Sequence, residues 1–308
     1  MMLPIIGITQ GEEKGIGPEI IQKALSDHSL FKICRPLVIG KPTLFKFPKS
    51  CSVSIVPPLT SQTSSLGALK QAFFLWTQGK ISAIATAPVD KYAISRQEKI
   101  HFLGHTGFFK KECEHYFKKS FYPIMFFVSG YYRLALATTH IPLSQVPRTI
   151  TKPLLKKTIL TVHKNLKTYF GINHPRLSIL GLNPHAGEGG LLGMEEKNIL
   201  HPIVLWAKRN HMSLEGPFPT DSYFSIYWRS VIPSFDATIA LYHDQGLSAF
   251  KLKHFHHAVN VTLGLPLIRT SVDHGVGYDI ANTHKANPIS MIEAIKLASF
   301  LVKKRKSQ

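Results

Sequence analysis

A chain of 308 residues, 44% hydrophobic and 18% charged, is long enough for one large or two medium domains with real cores. Its three cysteines, Cys34, Cys51 and Cys113, are odd in number and lack C-x-x-C spacing. Neither a disulfide framework nor a cysteine-built zinc site is therefore expected, and a reducing cytoplasm fits best. The net charge of +19 favours anionic partners, but the basic pairs are spread out and only the tail KKRKSQ clusters, so no nucleic-acid partner is expected.

In chain order, the opening MMLPIIGITQGEEK has no basic region ahead of its apolar run, so a signal peptide is not expected. PIIGIT (4–9) reads as a strand. The segment TQGEEKGIGPEI (9–20) then opens a helix with Pro18 in its first turn. Gly15 and Gly17 let the backbone approach a ligand there, although a tight strand-to-helix turn accounts for them equally well. The segment is neither a G-x-G-x-x-G fingerprint nor a P-loop. PLVIG (36–40) is a second strand. Over 62–79, Leu66, Leu69, Phe73 and Trp76 fall on one helical face, and ISAIAT (81–86) follows as a strand.

GHTGF (104–108) sets His105 and Thr106 at a helix start, where amides, a hydroxyl and an imidazole suit a phosphate or carboxylate; the plainer role for Thr106 is an N-cap. FYPIMFFVSGYYRLALATTHI is broken by Pro123, Ser129, Gly130 and Arg133, which makes it an antiparallel hairpin and not a membrane span. A helix over 149–170, strands LSILGL (177–182) and ATIALY (237–242), and a glycine-bearing loop DHGVGYDIANTHKANP (273–288) before a last helix complete the chain. The alternation predicts an α/β fold with largely parallel strands.

Three strand segments finish alike: LALATTH in His140, SILGLNPH in His185 and TIALYH in His243. Ligands of open α/β sheets bind beyond the carboxyl ends of strands. Three imidazoles delivered there could surround one divalent metal with positions left for substrate, zinc suiting such ligands and cobalt, manganese or magnesium also serving. Sixteen histidines in one chain will also place some after strands by chance. Asp244, beside His243, is a candidate for proton transfer or for orienting that ligand, or a plain surface acid.

With these residues assembled, the chain resembles the 4-hydroxythreonine-4-phosphate dehydrogenase family of pyridoxal phosphate biosynthesis, nearly end to end. The likeness rests on GIGPE (15–19), GHTGF (104–108), ALATTHIPL (135–143), GLNPHAGEGG (181–190), YHDQGL (242–247) and NVTLGLPLIRTSVDHG (260–275). It implies His140, His185 and His243 as metal ligands, and substrate contacts from His105, Thr106, Lys251, Asn260 and Arg269. Lys251 joins Asp244 as a candidate catalytic residue.

A more distant similarity to isopropylmalate and isocitrate dehydrogenases lies in GIGPE and in HGVGYDIAN…ANP (274–288). It implies two interleaved α/β domains with an interdomain cleft, isopropylmalate dehydrogenase-like. The expected division is 1–118 plus 245–308 for the cofactor side and 119–244 for a second domain with metal and dimer contacts. In that wider group the 274–288 loop wraps the adenosine half of the cofactor, which implicates His274, Gly275, Asp279 and Asn287. A carboxylate at Asp279 accepts from a ribose 2′-hydroxyl and repels a 2′-phosphate, so NAD is expected over NADP.

The chain departs from the family pattern at Glu12-Glu13-Lys14, where Asp/Glu-Pro-Ala is usual, at Val276 for Thr and at Asn282 for Gly. The family reading implies a phosphorylated amino hydroxy acid as substrate and a homodimer with shared active sites, with no membrane partner. Two rivals are a related dehydrogenase of another phosphorylated hydroxy acid and a non-catalytic anion-binding protein.

Overall fold

The computed structural model describes residues 2–48 and 53–306; Cys51 and the last two residues of the basic tail, Ser307 and Gln308, lie outside the described residues. In chain order the strands are β1 Ile5–Thr9, β2 Arg35–Ile39, β3 Ser54–Val56, β4 Ala83–Thr86, β5 Ile124–Ser129 and β6 Tyr132–Leu136. They continue with β7 Arg176–Leu180, β8 Ser213–Phe218, β9 Ala237–Ala240, β10 Val259–Leu263 and β11 Arg269–Val272. The α-helices are α1 Gly17–Leu25, α2 Ser64–Thr77, α3 Lys91–Glu98, α4 Gly104–Phe117, α5 Val146–Thr149, α6 Lys152–Phe170, α7 His201–Arg209, α8 Thr220–Tyr227, α9 His243–His254 and α10 Ile289–Lys306.

Two compact units emerge: Met1–Pro123 with His256–Gln308, and Ile124–Phe255. The second boundary falls after α9 and not at 244/245, so His243 and all of α9 belong to unit 2. Unit 1 orders its strands β3-β2-β1-β4-β11-β10, parallel throughout except for the antiparallel β10–β11 pair. Unit 2 orders them β5-β6-β9-β7-β8, with only the β5–β6 hairpin antiparallel. Every residue of β4, β9 and β11 is buried, as in strands covered on both faces, although β11, RTSV, buries an arginine and two hydroxyls.

Local chemistry sets the element ends. Thr63 caps α2 by accepting from the Leu66 amide, and Leu66, Leu69 and Phe73 enter the core of unit 1 with Ile84, Phe109 and Leu267. The β5–β6 turn relies on Gly130 at φ 55, a left-handed value that costs glycine nothing. The helix expected over 149–170 is interrupted: α5 ends at Thr149, and extended Thr151 caps α6 at the Leu154 amide ahead of Pro153. Pro153 lacks an amide hydrogen and would break the ladder of a helix running on from α5, but it is tolerated in a first turn, so a new helix opens there. Among the described residues no helix is long and apolar enough to cross a membrane.

Unit 2 also buries a knot of hydroxyls. Tyr223, 1% exposed, sits with its hydroxyl 2.9 Å from Thr238 Oγ1 and within hydrogen-bond reach of Ser178. Burial pushes the phenol up to about 12, so it remains a protonated donor. Tyr223→Phe is expected to lower stability by about 1 kcal/mol, because Ser178 and Thr238 can still bond each other. Urea denaturation followed by circular dichroism tests this; an unchanged midpoint would show that the phenol adds nothing.

Candidate active site

Parallel order determines where the three histidine-bearing segments emerge. β9 lies between β6 and β7, with Leu134 beside Thr238 and Leu177 beside Ala237. Pairing runs on past β6, where Ala137 and Thr138 donate to Ala240 and Leu241. Just beyond stands His140, whose ring centroid is 5.8 Å from that of His243, the first residue of α9. His243 Nδ1 is 2.6 Å from Asp244 Oδ1, a contact that fixes the ring tautomer and leaves Nε2 as the available donor atom. The Asp244 side chain that makes this contact is 83% exposed.

His185 stands apart from this pair. Its Nδ1 lies 4.0 Å from Asp221 Oδ2, both side chains being largely exposed. Among the described residues, no three His, Cys, Asp or Glu side chains are grouped to hold a metal ion. The donor chemistry nevertheless suits a divalent ion: two adjacent imidazoles, one locked by a carboxylate, and a third on the next strand's exit.

The glycine-rich loop of His185 is built and not slack. His185, Ala186, Gly187, Glu188 and Gly189 all have positive φ, from 43° to 79°, making one left-handed turn. Glu196 holds it. That carboxylate is 2% exposed, and its Oε1 accepts from the amides of Leu182 (2.7 Å) and Asn183 (2.8 Å), while Oε2 accepts from Asn183 Nδ2 (2.9 Å). Burial alone would raise its pKa, but these donors, the Asn183 amide first, hold it below the ordinary 4.5. A Cβ on Gly187 would lie 2.6 Å from Glu196 Oε2, so glycine is required for the carboxylate to fit. Glu196 also begins a single π-helical turn, Glu196–Leu200, ahead of α7, and turns of that kind recur at functional sites.

In unit 1 the polar residues gather around β4, β10, β11 and the start of α4. Arg269, 2% exposed, donates through Nε and Nη2 to Thr86 Oγ1 (3.2 and 2.8 Å) and through Nη1 to Thr262 Oγ1 (3.2 Å). Thr106 Oγ1 is 3.5 Å from Thr262 Oγ1. Burial, then the charges of Arg269 and Lys91, hold His105 well below the ordinary 6.5, so its ring is neutral at pH 7. Its hydrogen bond to the Ala87 backbone opposes this shift, while among the described residues its buried Nε2 and the buried Oδ1 of Asn260 have no partner. Lys251 lies in unit 2, on α9, eight positions after His243.

The expected cofactor residues also lie in unit 1. A Cβ on Gly15 would meet Val276 Cγ1 at 2.3 Å, and one on Gly17 would meet the Gln10 carbonyl at 2.4 Å. These two glycines are therefore explained by the chain packing on itself, with Ile16 donating to the Val276 carbonyl at 2.9 Å. Gly275, by contrast, has open space above it. His274 Nδ1 lies 3.0 Å from the Gly275 carbonyl, Asp279 is exposed, and Asn287 Oδ1 accepts from the Ile289 amide at the start of α10. Glu19 and Lys23 of α1, which sequence reasoning left without a role, fasten the loop. Glu19 accepts from the Ala286 amide, and Lys23 donates to Glu19 and to the carbonyls of His284 and Ala286.

Each unit is thus an α/β layer of largely parallel strands, a fold class that recurs among known structures. The same architecture occurs in isocitrate dehydrogenase from Methylococcus capsulatus, with a TM-score of 0.51 at 11% identity, a likeness of fold alone over 99% of this chain and 87% of that one. The 4-hydroxythreonine-4-phosphate dehydrogenase structure from Klebsiella pneumoniae superposes with a TM-score of 0.80 at 30% identity, covering 97% of this chain and 99% of that one. The 4-hydroxythreonine-4-phosphate dehydrogenase of Desulforapulum autotrophicum is 38% identical over 331 residues, 96% of this chain and 95% of that protein. The family model for "Pyridoxal phosphate biosynthetic protein PdxA" matches residues 53–298, and the chain belongs to that family of oxidoreductases.

Glu196 has a testable signature. Its depressed pKa means that the stability it contributes is present above the unfolded value and lost as pH falls through the lower folded one. Amide exchange at Leu182 and Asn183 should therefore lose protection in acid below about pH 4.5. Glu196→Gln should weaken that protection at neutral pH by about 1–3 kcal/mol and flatten its acid dependence. Wild-type protection in the variant would remove Glu196 from this role.

Proposed function

We propose that the chain oxidises 4-phosphohydroxy-L-threonine at C3 with NAD and a divalent metal, giving 2-amino-3-oxo-4-phosphooxybutanoate, which loses carbon dioxide to yield 3-amino-2-oxopropyl phosphate. The observation that carries this reading is Arg269: a buried guanidinium whose partners among the described residues are the hydroxyls of Thr86 and Thr262, with His105 in its field and Thr106 beside Thr262, in a chain of this family. Burial pushes Arg269 down to about 9, which leaves it charged at neutral pH and in need of an anion. Substrate phosphate or carboxylate meets that need, and substrate O–H or N–H groups can satisfy the unpartnered His105 Nε2 and Asn260 Oδ1.

His140, His185 and His243 would hold the metal, with Asp244 orienting His243. The ion, when bound, lowers the pKa of the substrate hydroxyl and offsets charge that develops on oxygen. Residues 274–287 would hold NAD, which accepts the hydride when bound; exposed Asp279 favours a free 2′-hydroxyl, and Glu19 with Lys23 keeps the loop in shape. Asp244 or Lys251 would move the hydroxyl proton. We further propose a homodimer whose active sites draw on both chains, resident in the cytoplasm, where the buried thiols Cys34 and Cys113 stay reduced.

An assay of purified protein with 4-phosphohydroxythreonine, NAD and a divalent metal should show formation of reduced nicotinamide that a chelator abolishes. Turnover of a phosphorylated sugar acid instead would move the reading to that substrate. Arg269→Lys keeps the charge but loses the planar fork, and is expected to lower kcat/KM by about a hundredfold. His185→Ala should strip bound metal while leaving the melting temperature nearly unchanged, because this exposed loop residue makes few core contacts. Metal content and rate that both survived the change would remove His185 from the site.

A further inference from the structure

Buried arginines ordinarily sit against carboxylates, because an unpaired charge is costly to desolvate. Arg269 does not. Its described partners are two threonine hydroxyls, and burial is the one influence acting on its pKa, with no acidic neighbour contributing. The geometry around Thr86 is complete. Its hydroxyl hydrogen can point at the Thr270 carbonyl, 3.4 Å away, which turns its lone pairs toward Nε–H and Nη2–H of Arg269. Thr262 serves Nη1 and lies one step beyond the Val261–Thr270 pair of the β10–β11 ladder. Thr86 is 0% and Thr262 3% exposed, so water does not replace either of them. Among the described residues, one N–H on each of Nη1 and Nη2 has no partner.

A hydroxyl lone pair satisfies the direction of an N–H without cancelling the charge behind it. A carboxylate in the same place would satisfy both and leave an entering anion nothing to neutralise. We propose that Thr86 and Thr262 are positioning residues that hold Arg269 rigid but un-neutralised, and so make the site selective for a doubly charged phosphate monoester end of its substrate. This rests on the reading of Arg269 as the substrate's anion contact. It goes further by assigning two residues and a reason why this cation has hydroxyl partners.

Orthophosphate is a suitable probe, because its binding needs no turnover, metal or NAD. Equilibrium dialysis with the full-length protein should show saturable binding to the wild type. Thr86→Val should weaken it by about tenfold, while Thr86→Ser, which keeps the oxygen, should stay near wild type. Thr86→Asp should abolish the rise in melting temperature that phosphate causes, while melting no lower than wild type without ligand, since Arg269 then has its counter-charge. A purely structural threonine would lower the melting temperature of Thr86→Val and leave its phosphate affinity untouched; that result, or wild-type affinity in Thr86→Asp, overturns the proposal. So does a wild type with no saturable phosphate binding. Phosphate binding that follows this pattern in a protein without dehydrogenase activity supports the threonine roles and defeats only the assigned reaction.

Discussion

Parallel pairing is the constraint on which the rest depends. Parallel neighbours must leave the sheet on the same edge, so any residue type that follows several of them is gathered without local sequence contact. In unit 2 the segments carrying His140, His243 and His185 follow β6, β9 and β7, and the ladder brings the rings of His140 and His243 together while His185 stands apart. In unit 1 the parallel β4–β11 pair and the antiparallel β11–β10 pair bring Thr86, Arg269 and Thr262 within hydrogen-bonding distance. The chemistry of each unit is thus a consequence of ladder direction before it is a consequence of any motif.

The two units bury charge in complementary ways. Glu196 is an anion with amide donors as its described partners, and Arg269 is a cation with hydroxyl acceptors. Neither relies on an opposite charge, yet their consequences differ. Glu196 makes three charge-assisted bonds within its own loop, and the result is a fixed backbone. Arg269 keeps unused N–H groups and an uncancelled field, and the result is affinity for something from outside. Burial alone does not separate a structural ion from a functional one; the remaining unsatisfied valence does.

Much of this was legible in sequence because the signals are local. Strand runs ending in His140, His185 and His243, the capped helix behind Thr63, and the Gly130 hairpin are all written within a few residues of where they act. What stayed hidden depends on partners far away. Thr86 meets Arg269 across 183 positions, and nothing in ISAIAT marks that threonine as an acceptor for a cation on another strand. Glu196 lies in an ordinary-looking helix start, with no pattern linking it to the loop it holds. GIGPE was noticed for its glycines, yet Glu19 and Lys23 fasten the 284–286 segment while Gly15 and Gly17 serve close packing. The fixed turn within GLNPHAGEGG stayed hidden for a related reason: glycine content reports permitted conformations, not whether a buried carboxylate packs against one.

That turn carries a conformational cost. A left-handed conformation costs about 1–2 kcal/mol at each of the non-glycine positions His185, Ala186 and Glu188. Hydrogen bonds to a charged group contribute about 1.5–3 kcal/mol each, so the three that Glu196 accepts match the strain in scale. Gly187 and Gly189 between them keep the total within reach. A strand-to-helix connection has many unstrained solutions, and a sequence free to choose would adopt one. Retaining a strained turn with a dedicated buried carboxylate makes sense when the direction of one side chain matters, and the turn begins at His185. The strain is read from backbone angles and not from the spacing of histidines, so it joins the proposed role of His185 as a separate observation.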